Sequence, residues 1–298
     1  MLALAFPGQG SQKVGMGRAL HDSFAIARQT FEQADSALGF SISRICFEGP
    51  ESDLLLTRHQ QPAILTVSVA MLRVAEQERG LVGGVALGHS LGEYSALVAA
   101  GALSFEDAVR VVHERGRFMQ EAVPEGRGAM AAVLGLDRAA LESLCAEAAS
   151  GQVCAPANFN GGGQIVIAGD RQAVERAALL AKRHGAKRVV PLPVSAPFHC
   201  ALMEPAARRL ATTLSPIPLH AMRIAVVSNV LADAVSDPAL VKDLLVRQVT
   251  SPVRFEECVQ RLAALGAERL VEVGPGRVLS GLVKRLAPAL AIEELPWN

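Results

Sequence analysis

Between residues 83 and 103 an apolar, small-residue run, GGVALGHS, passes straight into LGEYSALVAAGAL with no loop in between. A strand that feeds a helix without a connector needs a very tight corner, and Gly88-His89-Ser90-Leu91-Gly92 supplies one. Both flanking segments are apolar enough to be buried. A buried strand followed by a buried helix implies a parallel sheet covered by helices. The same alternation recurs along the chain. LALAF (2–6) reads as a buried strand, and 61–78 has helical periodicity. The segment 105–122 reads as an amphipathic helix with Ser104 at its N-cap and Glu106 and Asp107 in its first turn. After residue 200 the expected order is a helix (200–213), a strand (223–229), helices at 238–248 and 254–266, and a strand at 269–274.

The stretch PEGRG (124–128) interrupts this pattern, and the chain from about 126 to 194 reads as a smaller unit. GAMAAVLG is a strand, and DRAALESLCAEAA is a helix capped by Asp137. VCAPANF and QIVIAG are strands joined by NGGG. DRQAVERAALLAKRHG is a helix capped by Asp170 and ended by Gly185, and AKRVVPLPV is a last strand. The order β-α-β-β-α-β is ferredoxin-like. The expected fold is therefore α/β: a large domain with a mostly parallel sheet flanked by helices, a hydrolase-like core, plus a small inserted ferredoxin-like α+β subdomain. The expected boundaries are 1–125 and 195–298 for the large domain and 126–194 for the insert.

Bulk properties exclude several classes. Of 298 residues, 50% are hydrophobic and 19% charged, so a sizeable core is available. Lys plus Arg and Asp plus Glu balance at 29 each, which gives no global field for nucleic acid or anionic membrane. The five cysteines include no C-x-x-C pair. They point to reduced thiols in the cytoplasm, not to a disulfide framework or a zinc site. MLALAFPGQG lacks a basic leader region and reads as a buried strand ending in a turn. No metal is expected.

Chemistry concentrates at G-x-S-x-G. Glycines on both sides let the chain turn so sharply that a serine hydroxyl stands clear of the sheet, and the following helix offers N–H groups to a developing oxyanion. A glycine-rich turn with an incidental serine is the alternative. A nucleophilic serine needs a base, and the histidines are His21, His59, His89, His113, His184, His199 and His220. His199 stands out because it follows the extended, proline-marked PLPVSAPF segment and opens a helix. Pattern alone leaves the base open.

Beyond these local patterns, the sequence resembles the acyltransferase family of fatty-acid and polyketide synthases, and within it the bacterial malonyl-CoA:acyl-carrier-protein transacylases. The matching stretches are FPGQGSQ (6–12), QPA (61–63), GHSLGEY (88–94), RGRFMQ (115–120), NFN (158–160), FHCALM (198–203), QVTSPVRF (248–255) and EVGPG (272–276). They occur in the family's order nearly from end to end. The resemblance implies Ser90 as nucleophile and His199 as general base, then acid. It implies that the backbone carbonyl of Gln248 orients the imidazole in place of a carboxylate. The backbone N–H groups of Gln9 and Leu91 are implied as the oxyanion hole, with Gly8 and Gly10 allowing close approach. Arg115 is implied as the residue that grips the free carboxylate of malonyl; read locally, it could equally be a solvated arginine beside Glu114. Phe198 would crowd an α-methyl group, and Asn160 and Gln61 fall on active-site positions, Asn160 doubling as a turn residue.

The implied reaction is ping-pong transfer of malonyl from malonyl-CoA to the phosphopantetheine thiol of acyl carrier protein, supplying fatty-acid synthesis, with no permanent cofactor and a monomeric enzyme. The basic run AKRHGAKR (181–188) is a candidate docking site for an acidic carrier, or else a set of solvated helix-end charges. Three other readings remain. A trans-acting acyltransferase of a polyketide synthase or malonate-decarboxylase system keeps the chemistry. A serine thioesterase or hydrolase shares the pentapeptide but orders its triad differently and has no use for Arg115. A non-catalytic malonyl-binding component would need none of the reactive residues.

Overall fold

The computed structural model describes residues 1–194 and 196–297. The expected large-domain limits at Ser195 and Asn298 fall on residues outside those described.

Buried strands build the larger layer. β1 (Leu2–Phe6) pairs in parallel with β2 (Val85–Gly88) on one side and β9 (Arg269–Glu272) on the other. β10 (Ala291–Glu293) extends one edge in parallel; β7 (Ala225–Val227) extends the other in parallel and carries antiparallel β8 (Ala234–Val235). The sheet order is β10-β9-β1-β2-β7-β8. Alternation divides each central strand between two cores. Leu2, Leu4 and Phe6 enter one, and Ala3, Ala5, Val85 and Leu87 enter the other. Burial on both faces explains why these strands read as continuous apolar runs.

The helical cover begins with α1 (Arg18–Ser23), α2 (Ala25–Leu38), α3 (Ile42–Glu48), α4 (Glu51–Leu55) and the long α5 (Thr57–Arg79). α6 (Gly92–Ala99) follows β2, and α7 (Phe105–Glu121) packs along α5. The Ser104 hydroxyl accepts from the Asp107 N–H at 3.1 Å, the cap expected from sequence. α6 is shorter than the expected 91–103 because Gly101 takes a left-handed conformation, φ +78°.

The second sheet has β3 (Gly128–Leu134), β4 (Cys154–Gly161), β5 (Gln164–Asp170) and β6 (Arg188–Pro191) in the order β4-β5-β3-β6, all antiparallel. α8 (Arg138–Ala149) and α9 (Arg171–Arg183) complete the ferredoxin-like unit. Asp137 caps α8 as expected, accepting from the Ala140 N–H at 2.8 Å. Asp170 holds the N-cap position of α9 but makes no cap hydrogen bond. Its carboxylate instead accepts from the Val153 N–H at 2.8 Å and the Arg127 Nε at 3.3 Å, tying the start of β4 to the end of β5.

One face of this small sheet packs under its own helices, while Met130, Ala132, Ala157, Val166 and Ala168 join the main core. The junction also has a backbone link. The Val253 N–H donates to the Ala157 carbonyl at 2.9 Å, and the Phe159 N–H donates to the Val253 carbonyl at 2.8 Å.

The C-terminal third holds α10 (Glu204–Leu214), α11 (Val241–Thr250), α12 (Phe255–Ala264) and α13 (Val278–Leu286). The strand expected over 223–229 narrows to β7, because the chain bends at Arg223 and Ile224 and turns at Asn229 and Val230. His199 does not open a helix directly. It precedes a short 3-10 turn, Ala201–Met203, which leads into α10. No helix among the described residues is long and apolar enough to cross a membrane.

Candidate active site

The β2–α6 corner is built by exclusion of side chains. A Cβ on Gly88 would lie 1.9 Å from the Gly92 carbonyl carbon, and one on Gly92 would lie 2.0 Å from the Phe6 carbonyl oxygen. Only glycine lets the strand, the helix and β1 approach this closely. Between them Ser90 sits at φ +51°, a left-handed conformation costing about 1–3 kcal/mol in a non-glycine residue. Hydrogen bonds hold it there. The Asn229 side-chain oxygen accepts from the Ser90 N–H at 2.7 Å, and the Asn229 amide donates to the Gly88 carbonyl at 2.7 Å.

The Ser90 Oγ lies 2.8 Å from His199 Nε2, and His199 Nδ1 lies 2.8 Å from the Gln248 carbonyl oxygen. A carbonyl can only accept, so Nδ1 carries the proton and Nε2 is a free acceptor facing the serine hydroxyl. His199 is 4% exposed and, like Ser90, takes a left-handed backbone, φ +60°. Burial and then the neighbouring Arg115 charge push its pKa down to about 3. The imidazole is therefore neutral across the physiological range.

Arg115 projects from α7 into this cluster and is 1% exposed. Its Nη1 donates to Gln61 Oε1 at 2.8 Å. Its Nη2 donates to Ser90 Oγ at 3.1 Å and to Gln248 Oε1 at 2.9 Å, and its Nε has no acceptor among the described residues. Among the described residues no carboxylate is paired with it. Burial lowers its pKa, opposed by Tyr94 and Glu93. A buried guanidinium that meets only neutral acceptors is costly unless an anion arrives to complete it.

The loop after β1 faces the same corner. A Cβ on Gly8 would lie 2.4 Å from the His89 carbonyl oxygen, so this glycine permits the contact; Gly10 serves conformation instead, at φ +100° with open space around it. The backbone N–H groups of Gln9 and Leu91 have no acceptor among the described residues. The Gln9 side chain is held by Gln60. Phe198 is buried and lines a cavity of about 320 Å³ together with Gln9, Gly10, Leu55, Gln60 and Val194. Asn160 does not reach the Ser–His pair by any hydrogen bond among the described residues. Its Oδ1 accepts from His89 Nε2 at 2.8 Å, which joins the small sheet to the elbow.

Two contributors escape a local reading of the sequence. Asn229 stands just past β7, the parallel neighbour of β2, and ends of parallel strands are where such groups gather. The Gln248 side chain matters as well as its carbonyl. Its Nε2 donates to the Ser90 carbonyl at 3.1 Å and to Glu93 Oε2 at 2.8 Å.

A mostly parallel sheet with a strand–elbow–helix unit and an inserted antiparallel sheet puts this chain in the acyltransferase class of enzymes. The family model described as "Acyl transferase domain" matches residues 4–288. The chain is 51% identical over 98% of its length to the malonyl CoA-acyl carrier protein transacylase of Escherichia coli (strain K12), covering 95% of that protein. It is 49% identical over 96% of its length to the protein of the same name in Bacillus subtilis (strain 168), covering 90% of it. The crystal structure of an acyl carrier protein S-malonyltransferase from Vibrio cholerae superposes with a TM-score of 0.96 at 50% identity, covering 99% of this chain and 96% of that one. A malonyl-transacylase solved in complex with its type II PKS acyl-carrier protein also matches with a TM-score of 0.96, at 46% identity over 99% of this chain and 95% of that one. The chain belongs to the acyltransferase domain family.

Proposed function

We propose that this protein moves malonyl from malonyl-CoA to the phosphopantetheine thiol of an acyl carrier protein, through a malonyl ester of Ser90, in fatty-acid synthesis. The observation that carries the reading is the buried Arg115 guanidinium, paired with no carboxylate among the described residues and 3.1 Å from the Ser90 hydroxyl. A free acid on the acyl group matches it in charge and in bidentate geometry. Acetyl offers nothing to fill that place.

In the first half-reaction His199 Nε2 takes the Ser90 proton as Oγ attacks the thioester carbon. The carbonyl oxygen becomes an oxyanion, met by the N–H groups of Gln9 and Leu91. On collapse the C–S bond breaks, the imidazolium gives its proton to the departing thiolate, and malonyl stays on Ser90. In the second half the carrier thiol gives its proton to His199 and attacks the ester, and the imidazolium returns that proton to Ser90 Oγ. The Gln248 carbonyl holds the imidazole in one tautomer throughout.

Phe198 crowds the acyl α-carbon. Gln61 steadies the guanidinium, and Asn160 fixes the corner through His89. Residues 126–194 form the inserted unit, and its exposed Lys182, Arg183, Lys187 and Arg188 are the face offered to an acidic carrier. The reading also places the protein in the cytoplasm as a monomer, with malonyl-CoA as substrate and no resident cofactor.

The test is intact-protein and peptide mass spectrometry after mixing with malonyl-CoA without carrier. Malonyl is expected on Ser90, lost on adding holo carrier protein, and not formed by Ser90→Ala. Normal malonyl transfer by Ser90→Ala would overturn the assignment.

A further inference from the structure

Glu93, three residues after Ser90 on α6, is 3% exposed and has no role in the steps above. Its Oε2 accepts from the Asn229 N–H at 3.0 Å and from Gln248 Nε2 at 2.8 Å. The first holds the carboxylate oxygen in place, and the second, with the Gln248 Nε2 bond to the Ser90 carbonyl, fixes the polarity of the Gln248 amide. With Nε2 drawn to Glu93, Oε1 is left to face Arg115 Nη2 at 2.9 Å. A flipped amide would set donor against donor. Glu93 thus reaches Arg115 through one intervening amide, and each group feels the other's charge.

The charged and titratable groups around Glu93 are few. Arg115 comes from α7, Tyr94 from α6 itself and Cys258 from α12; Ser228 and Asn229 contribute neutral hydrogen bonds from the loop after β7. His199 lies beyond Arg115 and is neutral, and burial raises both the Tyr94 hydroxyl and the Cys258 thiol well above the physiological range. Glu93 alone in this set changes charge near neutrality. Burial pushes its carboxyl up to about 7, against the lowering effects of Asn229, Gln248, Ser228 and Arg115.

We infer that Glu93 is a positioning residue that tunes Arg115: when ionised it competes with the acyl carboxylate for the guanidinium, and malonyl binding transfers a proton from solvent to the Glu93 carboxylate. The inference rests on reading Arg115 as the acyl-carboxylate site. Two carboxylates cannot share one buried guanidinium at full charge without repulsion, so the weaker acid gives way. The sign is fixed by this competition. Below about 7 Glu93 is neutral and does not oppose the substrate; above it, binding must also pull in a proton, so malonyl affinity falls as pH rises.

The test uses Ser90→Ala protein, which binds without turnover. Titration calorimetry with malonyl-CoA and acetyl-CoA is run from pH 6 to 8.5, in buffers of different ionisation heat. Acetyl-CoA carries the same phosphates and so subtracts their titration. Expected is a malonyl-specific loss of affinity of about fivefold or more across the range, with net proton uptake at the alkaline end. Adding Glu93→Gln, which keeps an acceptor for both donors, should flatten the profile and abolish the uptake. A flat malonyl profile without proton exchange overturns the inference, and this arm needs no Glu93 variant to fold. An unchanged slope in Glu93→Gln overturns it too. Adding Arg115→Ala separates the two claims. If malonyl preference survives there, the reading of Arg115 has failed; if it disappears while the Arg115-containing protein shows no pH effect, only the role of Glu93 has failed.

Discussion

On the proposed function, replacing Arg115 by alanine removes the guanidinium that receives the acyl carboxylate. Two charge-assisted hydrogen bonds to a buried carboxylate are worth about 1.5–3 kcal/mol each, so the malonyl-specific loss is about 3–6 kcal/mol, or at least about a hundredfold in kcat/KM. A second loss is shared by all acyl groups. Truncation strips the donor from Gln61 Oε1 and Gln248 Oε1, now bonded at 2.8 and 2.9 Å, and opens a void beside Ser90. The informative quantity is therefore the malonyl-to-acetyl ratio of kcat/KM. It should fall by about two orders of magnitude or more in a transfer assay with holo carrier protein. The pH profile should move as well. The Arg115 charge is the second largest cause holding the His199 pKa near 3, so its removal raises that pKa and shifts the acid limb of the rate profile upward. A bound malonyl carboxylate would compensate the same charge, so part of the discrimination should appear in kcat. A ratio that stays within about threefold of wild type would refute the carboxylate-grip argument, however far absolute activity falls.

Other parts of the chain give two further expected outcomes. The Glu272 carboxylate accepts from the Leu279 and Ser280 N–H groups at 3.0 and 2.7 Å and so closes the first turn of α13; Glu272→Ala should cost about 2 kcal/mol and lower Tm by about 4 °C or more in a thermal melt. If Lys182, Arg183, Lys187 and Arg188 meet an acidic carrier, alanine at all four should raise KM for the carrier severalfold, more at low salt, and leave KM for malonyl-CoA unchanged; equal carrier KM values in stopped-time assays would remove that surface from consideration.

Much of the architecture was legible because it is written in local spacing. Glycine at 88 and 92 encodes the corner directly, since any side chain there would overlap backbone. The insert was legible because its turn residues and capping aspartate bracket short periodic runs, although Asp170 shows that a residue in the cap position can spend its carboxylate elsewhere. β10 and α13 were not legible. β10 has only Ala291–Glu293, too short to display a period, and it is held by pairing with β9.

Within the site, Arg115 carried a usable signal that its neighbours obscured. Glu114 and Arg117 form a partly exposed ion pair, which makes the region look like solvated helix surface. Yet Arg115 follows Ala108, Val111 and Val112 and precedes Phe118 and Met119 at helical spacing, all of them buried. An arginine on an apolar stripe must be paired, or be waiting for a partner. Gln248 carried no such signal. Its carbonyl orients His199, a task any residue could perform, while its amide connects Glu93, Ser90 and Arg115. Only the second task requires glutamine. It brings together α6, α7 and α11, whose side chains meet only after the sheet has formed. Local pattern can therefore name the nucleophile and single out a candidate base, but the groups that set their polarity are fixed by tertiary packing.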